Sequence, residues 1–240
     1  MCGRYSVAVS PEELSEVFEA PLSGSVVAPR WNVAPTQDAP VVIVDAEGAR
    51  SLRSLRWGIV PHGSGNPKDR SFRAAPLRIN ARSESVASNG AFREAFARRR
   101  CLVPADGFYE WKKVGRRKQP YWIHRGCGGL LGLAGIWERW REPAGETLGS
   151  FTILTTAPNA VVAPLHSRMP VVLPPEAWAD WLDPATSAER ILPLLAPAPD
   201  DLLATRAVSS LMSRGDVDDA RCVEPLADER PELIDLFEGR

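Results

Sequence analysis

Short apolar runs, broken by prolines, glycines and charged residues, set the pattern of this 240-residue chain. Nine of them predict strands: Val41–Val44, Leu52–Ile59, Cys101–Val103, Phe108–Lys112, Tyr121–His124, Leu130–Ile136, Phe151–Thr155, Met169–Leu173 and Thr205–Val208. Arg116-Arg117-Lys118 falls in a hairpin turn between Trp111 and Tyr121. Helical spacing is rarer. Pro11–Phe18 follows Ser10, a good N-cap, with Glu12 and Glu13 in the first turn. Asn89–Arg99 sets Phe92 and Phe96 one turn apart and gathers basic residues at its C-terminal end. Pro175–Leu182 places Trp178 and Leu182 on one face, and Ala188–Leu195 is a fourth helix.

The 22 prolines are spread along the whole length, which excludes a helical bundle and fits many short elements joined by fixed turns. Many strands, few helices and no βαβ alternation predict an α+β fold, a single compact domain built on mostly antiparallel sheet. The domain is expected to span residues 1–225, with an acidic C-terminal tail over 226–240. The chain beyond Asp216 reads as acidic, irregular and loosely held. Gly63–Pro76 has the composition of a mobile basic loop.

Composition changes this picture little. Hydrophobic content of 44% and charged content of 25% are ordinary for a soluble globular protein. No apolar run has the length of a membrane span, and the basic start and apolar stretch of a secretory signal are missing, so a cytoplasmic protein is expected. The four cysteines are far apart and form no CxxC, so free thiols are expected. Three histidines without ligand spacing give no reason to expect a metal. Charge is more telling. The net charge is -1, yet residues 50–125 hold 18 Lys/Arg against 5 Asp/Glu. This concentration either offers a basic face to a polyanion or is neutralised by the acidic flanks folding over it.

Cys2 is the residue with the most distinctive chemistry. Trimming of Met1 leaves a free α-amine and a thiol on adjacent carbons. The amine, with a reference pKa of about 7.7–8.0, is partly neutral at physiological pH and condenses with aldehydes. The thiol then closes a five-membered thiazolidine. The plain alternative is a small buried residue on a first strand. Glu110 sits in an aromatic strand-like run, with Tyr109 and Trp111 pointing the other way. It is either solvent-facing or half buried; burial would make it a proton donor and acceptor near neutral pH. His166 reads as a turn residue, exposed or a proton shuttle. Asn80 closes a turn or orients a reacting group. Arg4, Arg82 and Arg168 each stand near one of these candidates and suit phosphate oxygens, or form surface salt bridges. Trp31, Trp57 and Trp111, among turns and basic residues, form either a stacking platform for unpaired bases or part of the core.

Eight segments, in order, resemble the SOS-response-associated peptidase (SRAP) family, whose members process abasic sites in DNA. They are Met1-Cys2-Gly3-Arg4-Tyr5, Trp31-Asn32-Val33-Ala34-Pro35-Thr36, Arg56-Trp57-Gly58-Ile59-Val60-Pro61, Ile79-Asn80-Ala81-Arg82-Ser83-Glu84, the run from Cys101 to Trp111, Gln119-Pro120-Tyr121, Ala134-Gly135-Ile136-Trp137 and the run from His166 to Leu173. Each is unspecific alone; the ordered set is specific. The resemblance implies a barrel-like, mostly antiparallel sheet with a few flanking helices and a basic groove. It implies that Cys2 becomes the mature N-terminus and bonds to the ring-opened sugar of an abasic site in single-stranded DNA. Asn80 would contact that sugar, Glu110 would be the acid/base carboxylate, and His166 would assist imine formation and reversal. Arg4, Asn32, Arg82 and Arg168 would face the DNA, and Pro35 and Trp111 would wedge beside the lesion.

The expected partner is therefore single-stranded DNA bearing abasic sites, bound by a monomer that associates with the nucleoid, without cofactor, metal or membrane. Two places depart from the family pattern. The loop His62-Gly63-Ser64-Gly65-Asn66-Pro67-Lys68 lacks adjacent tryptophans, and Val208-Ser209-Ser210 stands where asparagines are common. Two rival readings stay open: a cysteine peptidase acting chiefly on its own Met1, and a non-catalytic single-strand binding module.

Overall fold

The apolar runs become strands of two sheets in the computed structural model, which describes residues 2–45, 47–61, 78–141 and 147–226. In chain order the strands are β1 (Tyr5–Val7), β2 (Arg30–Val33), β3 (Asp38–Val44), β4 (Arg50–Trp57), β5 (Asn80–Arg82), β6 (Arg100–Ala105) and β7 (Gly107–Val114). Then come β8 (Arg117–Arg125), β9 (Leu131–Arg141), β10 (Thr147–Thr156), β11 (Met169–Pro170), β12 (Val172–Leu173) and β13 (Leu203–Ala207).

Strands β4, β3, β6, β9 and β10 close into a barrel. Each joins its neighbour antiparallel except β10 and β4, which run parallel with Ser150 opposite Arg56 and Phe151 opposite Trp57. Val42, Leu52, Leu102, Ala134, Ile136, Phe151 and Ile153 have no exposed surface, so the barrel strands carry the main core. Closure also removes the unpaired edges that an open sheet would leave. The second sheet is antiparallel throughout, in the order β13-β8-β7-β1-β2. The chain crosses from barrel to second sheet at Asp106, between β6 and β7. The Asp106 N–H donates to the Ser6 carbonyl at 3.0 Å, and its carboxylate accepts from the Ala8 N–H at 2.8 Å and from the Ser6 hydroxyl. Gly107 is required directly after it, because a Cβ there would collide with the Trp122 ring and the Ile123 carbonyl. This crossing aims β7, and with it Glu110, at the chain's leading end.

Several sequence expectations are corrected. The hairpin turn is the pair Gly115-Arg116, with Gly115 at φ 59°; Arg117 and Lys118 already pair in β8. The single strand expected over Met169–Leu173 is two short pairings, Met169 and Pro170 with β10 and Val172 and Leu173 with β9. Val171 bridges them, its N–H on the Leu154 carbonyl and its own carbonyl on the Ala134 N–H, both at 2.9 Å. Helix α1 (Pro11–Val17) starts where expected, capped by Ser10 Oγ accepting from the Glu13 N–H at 3.1 Å. Helix α2 (Arg93–Arg98) is shorter than its pattern, because Asn89 turns the chain ahead of it, accepting from the Ala91 N–H at 2.9 Å. Helix α3 (Trp178–Leu182) follows a 3-10 turn at Pro175–Ala177, and α4 (Ala188–Ile191) gives way to a 3-10 turn over Leu192–Leu195.

The chain beyond Asp216 is docked up to Leu226. Val217 and Cys222 are buried, and the Asp218 carboxylate accepts from the backbone N–H groups of Trp31 and Asn32 at 2.6 and 2.8 Å and from the Arg30 guanidinium. The loop expected over Gly63–Pro76 and the tail beyond Leu226 lie outside the described residues. Among the described residues, no helix is long and apolar enough to cross a membrane.

Candidate functional site

The segment from Cys2 to Val7 is held between the two sheets. Pairing of Tyr5 with Val33 on one side and Phe108 on the other seats β1 between β2 and β7. The Tyr109 N–H donates to the Arg4 carbonyl at 3.0 Å, carrying the contact back towards residue 2. Cys2 has no exposed surface. Burial pushes its thiol well above the ordinary cysteine range, and the Glu110 carboxylate adds to the shift.

Asn80 arrives from the barrel side. Strand β5 runs parallel to β10, with Asn80 opposite Ile153. The Asn80 side-chain N–H donates to the Cys2 carbonyl at 2.8 Å, while its Oδ1 is buried without a hydrogen-bond partner.

Glu110 owes its place to the two-residue period of β7. Tyr109 and Trp111 face a small cluster with Val208, Met212, Val217 and Cys222, whereas Phe108 belongs to the main core. Glu110, on the Phe108 side, is only 3% exposed. Burial raises its pKa, and the nearby His166 draws it back down. His166 leaves a turn in which its N–H donates to the Val162 carbonyl at 3.0 Å. Its Nδ1 lies 3.0 Å from the Arg168 backbone nitrogen and 3.2 Å from the Arg168 carbonyl oxygen, which ties the ring to its own turn. Residues far apart in sequence thus converge: Asn80 touches the Cys2 backbone, and the Cys2 thiol and His166 both lie within reach of the Glu110 charge.

The remaining candidates divide by exposure. Arg82 is exposed on β5, with no ion pair among the described residues. Arg4 is half-buried, its Nη1 donating to Asn32 Oδ1 at 2.7 Å. Asn32 is 3% exposed, and its Nδ2 donates to the carbonyls of Met212, Arg214 and Val217 at 2.9, 3.0 and 2.7 Å. Its side chain therefore holds Arg4 and the segment after β13, with no donor left over. Pro35 is half-buried in the turn between β2 and β3, beside Thr36 at φ 75°. Trp111 is half-buried, donating from Nε1 to Ser213 Oγ at 3.1 Å. Arg168 forms a two-point salt bridge with Glu84 and also donates to the Thr155 carbonyl. Glu84, 55% exposed, is driven down to about pKa 2 by that guanidinium.

Trp57 is not part of any stacking platform. It is fully buried, bonds the Ile79 carbonyl through Nε1 at 2.9 Å, and lies parallel to Phe151 and edge-on to Tyr5. Sequence reading missed Glu84 and Asp218 as organisers of the arginines. Glu84 carried one signal, its place in the same segment as Asn80 and Arg82; Asp218 carried none. Among the described residues no cluster of three His, Cys, Asp or Glu side chains is placed to hold a metal. A buried carboxyl with a raised pKa beside a buried thiol is a pair able to exchange a proton.

A closed barrel joined to a second sheet, with a buried Cys2 held by Asn80, defines a class of fold. The chain matches the description "SOS response associated peptidase (SRAP)" over residues 1–214, and it belongs to that family. It is 35% identical over 217 residues to the abasic site processing protein YoqW of Bacillus subtilis, covering 89% of this chain and 94% of that one. It is 32% identical over 230 residues to the abasic site processing protein HMCES of Gallus gallus, covering 82% of this chain and 66% of that one. A solved structure from Bordetella bronchiseptica superposes with TM-score 0.75 at 30% identity, over 87% of this chain and all (100%) of that one. A Bacteroides thetaiotaomicron structure shares the fold with TM-score 0.82 at 24% identity, over 93% of this chain and 99% of that one.

Proposed function

We propose that this protein processes abasic sites by covalent capture in single-stranded DNA, through Cys2 once Met1 has been removed. The observation that carries the reading is the Asn80 amide on the Cys2 carbonyl at 2.8 Å, beside a buried Glu110 whose charge acts on the Cys2 thiol. Removal of Met1 creates the amine and shortens the chain directly ahead of the enclosed thiol.

The neutral amine adds to the sugar aldehyde and forms a carbinolamine. Loss of its hydroxyl as water, with a proton from neutral Glu110, gives the protonated imine. The Cys2 sulfur then bonds the imine carbon as the thiol proton passes to the carboxylate that Glu110 has become, and the C=N electron pair returns to nitrogen, which keeps its N–H. Amine, thiol and aldehyde are consumed, and thiazolidine and one water result. A thiol with a raised pKa needs such a base, and Glu110 has gained that ability one step earlier. His166 supports the proton movements, and Asn80 fixes the backbone that carries the nucleophile. Ring closure removes the electron sink that would promote strand cleavage by β-elimination.

Arg4, Arg82 and Arg168 engage phosphates, with Arg4 held by Asn32, and Pro35 and Trp111 flank the gap left by the lost base. On this reading peptidase action is confined to Met1 of the same chain.

The test combines intact mass with a denaturing gel. Freshly purified protein should lack Met1 and form a denaturation-resistant adduct with an abasic single-stranded oligonucleotide, and Cys2→Ala should form none. Equal adduct from Cys2→Ala, or an adduct formed by protein that retains Met1, would overturn the reading.

A further inference from the structure

A trough crosses the outer wall of the barrel over β3, β4 and β9, and no residue of the candidate site lines it. Two adjoining cavities of about 480 and about 520 Å³ share Ile43, Arg53, Trp137 and Arg139. The larger is lined by five arginines, Arg53, Arg98, Arg99, Arg100 and Arg139, against one carboxylate, Asp45.

These charges are unevenly spent. Arg99 is paired with Glu138 at 2.7 Å and Glu94 at 3.3 Å. Asp45 is engaged in its own turn, accepting from the Glu47 and Ala49 N–H groups at 3.1 and 2.8 Å. Arg100 is buried and donates only to backbone carbonyls, those of Trp181, Phe96, Ala97 and Asp183. It has no ion pair among the described residues, but the Asp183 carboxylate lies near enough to favour its charge, so Arg100 is spent within the fold. Arg53, Arg98 and Arg139 also have no ion pair among the described residues. Trp137 is half-buried between them, with the Arg139 guanidinium 6.0 Å from its ring centre.

Cations spread along a trough fit a chain of phosphates better than one phosphate ion, which would need them to converge. An accessible indole among them fits an unpaired base. We propose that this trough binds a second stretch of single-stranded DNA, with phosphates on Arg53, Arg98 and Arg139 and a base against Trp137. The choice of DNA rests on the abasic-site reading; the charge and shape of the trough do not. Such a site would hold the strand independently of the lesion.

The experiment uses Cys2→Ala protein and an undamaged oligonucleotide containing bromouracil, so that lesion chemistry plays no part. Photocrosslinking and peptide mass spectrometry should place adducts on the segment holding Trp137. The Arg53→Ala/Arg139→Ala variant should lose them, bind the oligonucleotide roughly tenfold more weakly at about 0.15 M salt, and show a salt slope shallower by roughly 1.4. Arg53→Lys/Arg139→Lys keeps the charges and should restore the slope. With Cys2 present, the alanine variant should still capture a short abasic oligonucleotide at the normal rate. Failure of capture in every protein, with Trp137 adducts intact, would sink the abasic-site reading and leave the trough standing. Adducts confined to segments around Arg82 and Trp111, or an unchanged salt slope, would overturn the trough.

Discussion

The side-chain amide of Asn80 holds the carbonyl oxygen of Cys2 at 2.8 Å, joining β5, which pairs with the barrel strand β10, to the segment before β1. The contact orients the backbone that carries both reacting groups of the proposed chemistry. Asn80→Ala removes the donor and should slow adduct formation on an abasic oligonucleotide by tenfold or more, ~1.4 kcal/mol of activation free energy, with little change in DNA affinity. Asn80→Asp keeps the size, loses the N–H and should fare no better. Rate and affinity are read separately, by quenched time courses and by anisotropy. A normal rate in both variants would remove Asn80 from the mechanism.

Glu110 makes the reaction and the fold depend on pH in related ways. Folded Glu110 keeps its proton at pH values where a glutamate in an unfolded chain, with pKa about 4.3, has lost it. Between those two pKa values the folded state binds more protons, so its contribution to stability is complete below the lower value and lost as pH rises through the raised one. Glu110→Gln should remove that dependence, seen as a flatter curve of urea midpoint against pH. Adduct formation should be bell-shaped in wild type, limited on the acid side by protonation of the Cys2 amine and on the alkaline side by ionisation of Glu110. The glutamine variant, unable to move a proton, should be slower by on the order of 10²–10⁴ and lack the alkaline limb.

Arg168 is already occupied in the free protein. Its two-point bridge to Glu84 lowers that carboxyl to about pKa 2. The stabilisation is present above the ordinary glutamate range and is lost as pH falls towards 2. Glu84 is largely exposed, so the pair contributes little to folding and its meaning lies in competition with phosphate. Glu84→Gln should raise affinity for single-stranded DNA and steepen the salt dependence by roughly 0.7, the share of one added phosphate contact. Arg168→Ala should do the reverse. Filter binding over a salt series reads both.

How much of this was visible in the residues follows from where each signal is stored. The barrel strands were legible because runs such as Val41–Val44 and Phe151–Thr155 are apolar on their own account. The side of β7 on which Glu110 stands was legible too, since a two-residue period that sends Tyr109 and Trp111 one way sends Glu110 the other; that this side is buried was not. Strands β1, β2 and β5 were not, because Arg30-Trp31-Asn32-Val33 and Asn80-Ala81-Arg82 mix charge with apolar residues and become strands only through their partners. Parallel pairing of β10 with β4 joins residues about a hundred positions apart, which no local pattern records. Trp57 misled for the same reason: Arg56 and Gly58 beside it look like a surface turn, yet Phe151 and Tyr5 enclose it. The docking of the segment after Asp216 depends on one carboxylate meeting three donors of β2, a match written in neither segment alone.

That match gives the last expected outcome. Asn32 and Asp218 together clamp the segment after β13 onto β2, and Asn32 alone also supports Arg4. Asn32→Ala leaves three carbonyls and a guanidinium without their partner in a buried place, which should cost about 2–4 kcal/mol. Asp218→Asn keeps an oxygen for part of the contacts and should cost less. Both variants should loosen the segment from Val208 to Leu226, seen as faster amide hydrogen exchange there than in the barrel. If Arg4 depends on this clamp, DNA affinity in Asn32→Ala should fall as far as in Arg4→Ala, and the double variant should fall no further. Additive losses would show that Asn32 meets the DNA directly, in place of acting through Arg4.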